Sequence, residues 1–550
     1  MWNQFFLQNL HFAVNIFAAM VFLWIFWLYL DVWLARKKGR EMVKSFGFLF
    51  LGISFVVQAV HLESTIILTP LINELTFDRL LILTRTLGYS LIIISIFIEP
   101  NLAHPHKDKL RTTDEKEKGN ENLNQIFGGP ILISAFGAQI PGFVIGHLLF
   151  PLFAVSVALL YLYKATYGLE FHLRRIAYGF FFVATFELLN LRELFAASTN
   201  VALFKTVATY GNLWILEHVF LFVAVLILGR WVFGYLLKRL ETQLYMFFSL
   251  SVLIIFLITT VTFTGLLLKN MQGEALKQLE TNVKVLEYAL TSKTSQLTSD
   301  AEVFAKDSEV IGAVSADQKP TLANFTSDFL VTKSLSTLIV TNSDAAVIAR
   351  GEEPERIGES VSGNAMIARS LIGESVSSAT TQEGLLAPQI VISSSVPVKN
   401  ADEQIIGSVK AGILIDNAFV DGIEKATGLA VSIYGGEKVS ATTLLAADKV
   451  TRRVGISESD KRILELVLAK GESFTGTTQI LNTPYFASYL PLTDVDATPV
   501  GMLFVGRPQI SVLQTAAASI QLTFVVTGIL WLLAIIPSYL IASYISKQLR

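Results

Sequence analysis

The sequence contains no cysteine. That excludes disulfides, thiolate metal sites and cysteine nucleophiles. It leaves the compartment open, because an exported domain can fold without disulfides. Charge is also scarce. Asp, Glu, Lys and Arg make up 16% of the residues, against about 25% in an average soluble domain. The net charge is −2, so nothing in it points to nucleic acid. Catalytic motifs are missing too. Gly128-Gly129-Pro130 and Gly435-Gly436 lack the Gly-Lys-Ser/Thr ending of a phosphate loop. The seven histidines include no His-Glu-x-x-His, and His104 and His106 lie in a mixed-charge loop. The chain is therefore read as a non-enzyme without a cofactor. Met1-Trp2-Asn3-Gln4 carries no basic residue ahead of the first apolar run, unlike a signal peptide. It reads as a retained helix with its N-terminus outside.

What is abundant is apolar sequence. Hydrophobic residues make up 52% of the 550, and the mean hydropathy is +0.54. The excess falls in residues 1–268 and 518–545, while 270–515 has the composition of a soluble domain. A span needs about 20 apolar residues. Candidates are 8–34, 46–69, 80–98, 176–198, 211–236, 244–268 and 518–543. The stretch 127–165 is broken by Pro130, Pro141 and Pro151 and reads as one span or two. Basic residues arbitrate, since they favour the cytoplasmic side. Arg36, Lys37, Lys38 and Arg40, then Lys107, Lys109 and Arg111, then Lys164, Arg174 and Arg175, then Lys238 and Arg239 all read as inside. Two crossings in 127–165, with a turn between Gly146 and Pro151, satisfy them all; a single crossing would put Arg174 and Arg175 outside. The expected order is a seven-helix unit at 1–243, a span at 244–268, an outside domain at 269–515 and a span at 518–543 in the inner (plasma) membrane.

After Lys269 comes a long polar helix in which Leu276, Val283, Leu290 and Leu297 recur every seven residues, with Leu279 and Leu286 between. Such a seam suits either the domain itself or the second helix of a homodimer. From about 335 the pattern becomes strand-like and runs twice through nearly the same plan of helix, two strands, helix, three strands. Two α+β lobes are expected, at about 335–415 and 416–508.

The run Ala349-Arg350-Gly351-Glu352-Glu353-Pro354-Glu355-Arg356-Ile357-Gly358-Glu359-Ser360 resembles Cache sensor domains, as does Val396-Pro397-Val398 followed by Ile405-Ile406-Gly407-Ser408-Val409. Phe419-Val420-Asp421 with residues 427–434 resembles the opening of a second, membrane-proximal Cache lobe, and residues 485–492 and 499–506 its last strands. The resemblance covers about 270–510. It implies a PAS-like double Cache domain that binds a small extracytoplasmic ligand, as in chemoreceptors, sensor kinases and cyclic-dinucleotide enzymes. One departure stands out. Carboxylate-binding relatives carry a basic residue just before the Pro-Val pair, where this chain reads Ile392-Ser393-Ser394-Ser395. Arg350 remains as a cation, and Ser393, Ser395, Tyr434 and Tyr489 are ligand candidates by strand position. Tyr544-Ile545-Ser546-Lys547-Gln548-Leu549-Arg550 resembles the start of a HAMP linker, which implies a cytoplasmic partner or an output domain beyond Arg550. The whole reads as a transmembrane signal-transduction receptor. A transporter with an extracytoplasmic regulatory domain is the alternative, and a membrane enzyme a remoter one.

Ionisable residues inside spans are costly and point to function. Here they are His11, His61, Glu63, Arg85, His147, Arg192, Glu193, Glu217 and His218. His61, His147, His218 and Glu217 are candidate metal ligands, because neutral imidazole suits zinc, copper and iron. The plainer reading has these groups pairing with one another, Arg85 with Glu193 or Glu217. Topology is testable because the chain supplies no thiol of its own. Single cysteines at Ser198 and Asn400 should react with an impermeant thiol reagent in intact cells, and one at His172 should not. Labelling at 172 would overturn the double crossing.

Overall fold

A backbone removed from water must satisfy its own hydrogen bonds, so long apolar runs become helices. The computed structural model describes residues 2–62, 67, 70–98, 142–192, 206–384, 386–446 and 448–549, with the backbone alone for 142–147. They form two compact units, Met1–Lys269 with Leu513–Arg550, and Asn270–Val512.

The first unit contains α1 (Trp2–Arg36), α2 (Gly39–Ala59), α3 (Glu74–Phe97), α4 (Gly142–Tyr167), a 3₁₀ turn (Phe171–Leu173), α5 (Arg174–Asn190), α6 (Asn212–Leu236), the first part of α7 (Leu240–Ala305) and most of α13 (Gln509–Gln548). Among the described residues seven helices are long and apolar enough to cross a membrane: α1, α2, α3, α4, α6, α7 and α13. Two expectations change. The span expected at 46–69 is helical only to Ala59. The turn expected between Gly146 and Pro151 is not formed, because α4 runs through both residues. A proline removes one helical hydrogen bond, which kinks a membrane helix without ending it. Residues 127–141, where a return would otherwise begin, lie outside the described residues.

Glycines set the closest helix contacts. A Cβ at Gly47 would stand 2.7 Å from Ile92 Cγ1, and one at Gly88 2.7 Å from Leu51 Cγ, so α2 and α3 meet backbone to backbone. Direction follows from side-chain levels. The Arg85 guanidinium of α3 lies 5.5 Å from the Phe150 ring of α4, and Tyr89 packs at 6.3 Å from Phe153. Further along α4, Tyr161 meets Phe180, which packs on Phe48. Helices α3 and α4 therefore run parallel.

Two pairs of buried opposite charges lie in this unit. Arg85 is fully buried and donates to Glu187 at 3.1 Å and to Ser54 at 3.4 Å; Tyr89 donates to the other Glu187 oxygen at 2.9 Å. Arg85 thus pairs with Glu187, not with Glu217 as expected; Glu193 lies outside the described residues. Glu217 is held by Arg192 at 3.0 Å.

The second unit continues α7 and adds α8 (Ser308–Ser315) and α9 (Lys319–Thr332). The distal lobe follows, with β1 (Thr337–Asn342), β2 (Val347–Arg350), α10 (Ala365–Leu371), β3 (Val376–Gln382), β4 (Gln389–Lys399) and β5 (Ile405–Leu414). The proximal lobe has α11 (Asn417–Thr427), β6 (Ala430–Gly435), β7 (Lys438–Thr442), α12 (Lys461–Ile463, continued by a π-helical turn over Leu464–Ala469), β8 (Phe474–Ile480), β9 (Thr483–Thr493) and β10 (Pro499–Pro508). The sheets run β2-β1-β5-β4-β3 and β7-β6-β10-β9-β8, so the second repeats the first strand for strand. The α7 seam is spent inside the chain. Leu279, Val283, Leu286 and Leu297 are fully buried and Leu290 nearly so. Leu276 is half-buried.

The Arg85 pair gives a stability test. Glu187→Ala, which strands a buried guanidinium, should lower the unfolding free energy of the full chain by about 3–5 kcal/mol. The double change Arg85→Met, Glu187→Met should recover most of it in the same thermal assay. Equal losses in both variants would mean that the pair is not what the stability depends on.

Candidate functional site

Residues paired across antiparallel strands share a face of the sheet. In the distal lobe one row reads Arg350, Ile339, Lys410, Ser395, Val376. The next row on that face contains Thr337, Gly412, Ser393 and Ser378. The opposite face carries Leu338, Val340, Ala349, Val396, Val409 and Ala411, all buried. It also carries Ser394, whose hydroxyl donates to Thr298 of α7 at 2.9 Å. One face is thus an ordinary apolar core. The other is buried only in part and lined with hydroxyls and two cations, and polar groups are buried at a cost unless something satisfies them.

Part of that satisfaction is internal. Ser370 of α10 lies 2.9 Å from the Ser395 hydroxyl, and both contact Ser408, whose oxygen is 3.0 Å from that of Ser395. Thr380 and Ser393 are 3.3 Å apart. A Cβ at Gly412 would come within 2.4 Å of Thr337 Oγ1, so the space between Thr337 and Ser393 exists only with glycine there.

The cations are less complete. Arg350, 9% exposed, pairs with Glu352 at 3.4 Å and with Glu359 from the following loop, while its buried Nε has no acceptor. Lys410 makes no ion pair among the described residues. Burial first, and then the neighbouring Arg350, hold its ammonium below the usual lysine range. Lys410 stands directly across from Ser395. β4 has no cation at this level, and the neighbouring strand β5 has one.

The structure brings Arg350, Ser393 and Ser395 together and separates them from Tyr434 and Tyr489, which belong to the proximal lobe. Matching registers align the lobes: Pro397 pairs with Ser408 as Pro491 pairs with Met502. Ser395 then corresponds to Tyr489, Lys410 to Phe504 and Val376 to Phe474. The proximal face is filled by these aromatics, with Tyr489 and Phe504 fully buried. Both tyrosine hydroxyls, Tyr434 at 3.2 Å and Tyr489 at 2.9 Å, donate to one oxygen of Glu458. The other Glu458 oxygen accepts the backbone N–H groups of Ser459 and Asp460. Burial pushes both phenols far above their ordinary values, so they stay protonated donors. The proximal face thus closes around a carboxylate of its own chain.

The metal set does not assemble. No group of three or more His, Cys, Asp or Glu side chains could hold a metal among the described residues. His218 uses one ring nitrogen on Trp214 O and the other on His11, each at 2.8 Å, and His11 Nε2 lies 2.8 Å from Gln58 O. Neither ring has a nitrogen left for a metal. Glu217 is bound by Arg192, and His61 stacks on Phe77 at 4.2 Å. The side chain of His147 and all of Glu63 lie outside the described residues.

Sequence reasoning missed Lys410 and Glu458. Lys410 had a signal, as the lone charge in the apolar strand Ile405–Leu414. Glu458 had none, because its role depends on two strands far away in sequence.

Residues 272–513 match the family described as "Double sensory domain of two-component sensor kinase". No curated protein matches the chain. Among solved structures, the periplasmic domain of Vibrio cholerae LuxQ aligns at 11% identity, covering 42% of this chain and 99% of that one, with a TM-score of 0.31. The sensor domain of the V. cholerae histidine kinase DctB aligns at 10% identity, with 42% and 96% covered and a TM-score of 0.30. The sensory domain of the Campylobacter jejuni chemoreceptor Tlp3 aligns at 12% identity, with 46% and 99% covered and a TM-score of 0.31. On the family match, residues 272–513 are a double Cache sensory domain.

The Glu458 latch predicts its own cost. Glu458→Ala leaves two buried phenols without an acceptor and should destabilise the domain by about 2–4 kcal/mol; Tyr489→Phe, which removes one donor, should cost about 1 kcal/mol. Chemical denaturation would measure both. A neutral Glu458→Ala would contradict the latch.

Proposed function

We propose that the chain is a transmembrane receptor whose distal Cache lobe binds a small anionic or zwitterionic molecule on the Arg350–Lys410 face. The observation that carries this reading is Lys410, a half-buried ammonium on a hydroxyl-lined face with no ion pair among the described residues, beside Ser395 on the next strand. A carboxylate there would take Lys410 and the free Nε of Arg350, with Ser393 or Ser395 as further donors. Glu359, which holds Arg350 in the free form, would be displaced, and with it the loop that covers the face. The proximal lobe, latched by Glu458, would pass the change to α13 without taking a ligand. Signal would leave through α7 and α13, the two helices that carry the chain between the units, toward a cytoplasmic output.

The topology we propose is the seven-helix unit followed by two further spans, in the bacterial inner membrane with the Cache domain outside. Its support is the parallel run of α3 and α4. Two parallel neighbours need a connection that returns between Phe97 and Gly142. That return makes seven crossings before α7 and keeps Lys164, Arg174 and Arg175 on the side of Arg36 and Lys44, as basic-residue bias requires.

Lys410→Met separates binding from stability, because it should move them in opposite directions. In the ligand-free full chain it should raise stability by about 1 kcal/mol, as when a poorly compensated buried charge gives way to an apolar side chain. The parent should gain stability as alkaline pH rises from the lowered lysine pKa toward about 10.5, since there the unfolded chain binds the extra proton; the variant should lack that rise. A library of organic acids and amino acids should contain a molecule that stabilises the parent by about 2.7 kcal/mol at a hundredfold excess over its Kd. It should not stabilise Lys410→Met. A stabilising anion that acts equally on both proteins would sink the assignment of this face.

A further inference from the structure

A cavity in the first unit is the next candidate site. Five elements, α1, α2, α4, the 3₁₀ turn and α6, enclose a cavity of about 390 Å³ at the end marked by Arg36 and Lys44. Its lining includes four cations, Arg36, Arg40, Lys44 and Lys164, and two acids, Glu41 and Glu170. Arg40 pairs with Glu41 at 3.0 Å and Lys164 with Glu170 at 3.7 Å. The lining therefore carries two more positive than negative charges.

Basic residues at this end of a membrane bundle are expected from topology alone, and solvated ones would mean nothing more. Two observations go further. Lys44 is 4% exposed, with its ammonium 5.0 Å from the Tyr29 ring, so its charge is inside the bundle rather than in the solvent. Trp231, 5% exposed and also in the lining, has an indole N–H with no acceptor among the described residues. The helix α2 begins at the cavity as well, and its N-cap residue Lys38 makes no side-chain cap. The free N–H groups and positive dipole end of a helix start favour an anion.

We propose that this cavity binds a phosphate-bearing anion, whose oxygens would be met from separate sides by Arg36, Lys44, the start of α2 and the Trp231 N–H. A tetrahedral group with several acceptor oxygens suits donors that converge from different elements, and the volume fits a headgroup or small metabolite. Two sources share this chemistry, the headgroup of an inner-leaflet phospholipid and a soluble phosphate compound. The site is independent of the Cache ligand face and would give the seven-helix unit its own input.

The test uses the delipidated full chain in nonionic detergent, with its unfolding midpoint followed on titration. One arm receives inorganic phosphate and the other dioctanoyl phosphatidylglycerol, each against sodium chloride at equal ionic strength. A saturable rise in midpoint in at least one arm is expected. A response to phosphate identifies a soluble ligand or a bare headgroup; a response to the lipid alone identifies the membrane as the source. Arg36→Gln, an exposed change that the fold should tolerate, should raise the apparent Kd about tenfold, or 1.4 kcal/mol. Lys44→Gln should abolish the response if it folds. No saturable rise in either arm, or an Arg36→Gln protein that titrates like the parent, overturns the proposal.

Discussion

A polar group taken out of water must find a partner, and in a chain with so much apolar surface that requirement decides most of the interior. Arg85 reaches Glu187 and Ser54, Arg192 reaches Glu217, and His11 meets His218 and a backbone carbonyl. The Arg85–Glu187 and His11–His218 pairings join helices remote in sequence. Hydrophobic contact alone does little to choose between helix arrangements in lipid, where the alternative to a neighbour is an equally apolar tail. These polar pairings supply the choice, because breaking either ion pair leaves a buried charge uncompensated. The few polar groups that stay incompletely matched then become informative. Lys410, the Arg350 Nε and the Trp231 N–H are such groups, and the two proposed anion sites are built on them.

The two Cache lobes show the same rule from opposite sides. Their sheets have one strand order and one register relation between the proline and its neighbours. In the proximal lobe, Tyr489, Phe504 and Phe474 fill the inner face, and Glu458 satisfies the hydroxyls that burial would otherwise strand. In the distal lobe, Ser395, Lys410 and Val376 stand in the same places. Smaller and more polar side chains leave that face in need of a partner. One repeat satisfies its inner polar groups from within the chain, and the other does so only in part.

Much of this was legible in the sequence, for local reasons. Strand and helix positions in 335–508 follow from alternation, turn residues and the left-handed Gly428 that ends α11. The repeated order of elements and the quoted motifs identified the double Cache plan before any strand pairing was known. The apolar runs marked most of the helices long and apolar enough to cross a membrane, while the one expected at 176–198 is described only as Arg174–Asn190. They were less informative where proline interrupts a run. Between Gly146 and Pro151 the helix continues, because its neighbours and not its own sequence decide whether a kink becomes a turn.

Partners across the fold were beyond the sequence. Arg85 could be read as a buried cation but not as the partner of Glu187, because several acids stood at plausible distances along the chain. The seam on α7 announced a buried stripe without saying whose residues would cover it. Lys410 lay fifteen residues from Ser395, and only the register of β4 against β5 places it opposite that serine, completing the cation pair with Arg350. Composition and periodicity determine which faces are buried. Strand order and helix packing alone decide which side chains meet on those faces, because pairing in space depends on neighbours that chain order does not specify.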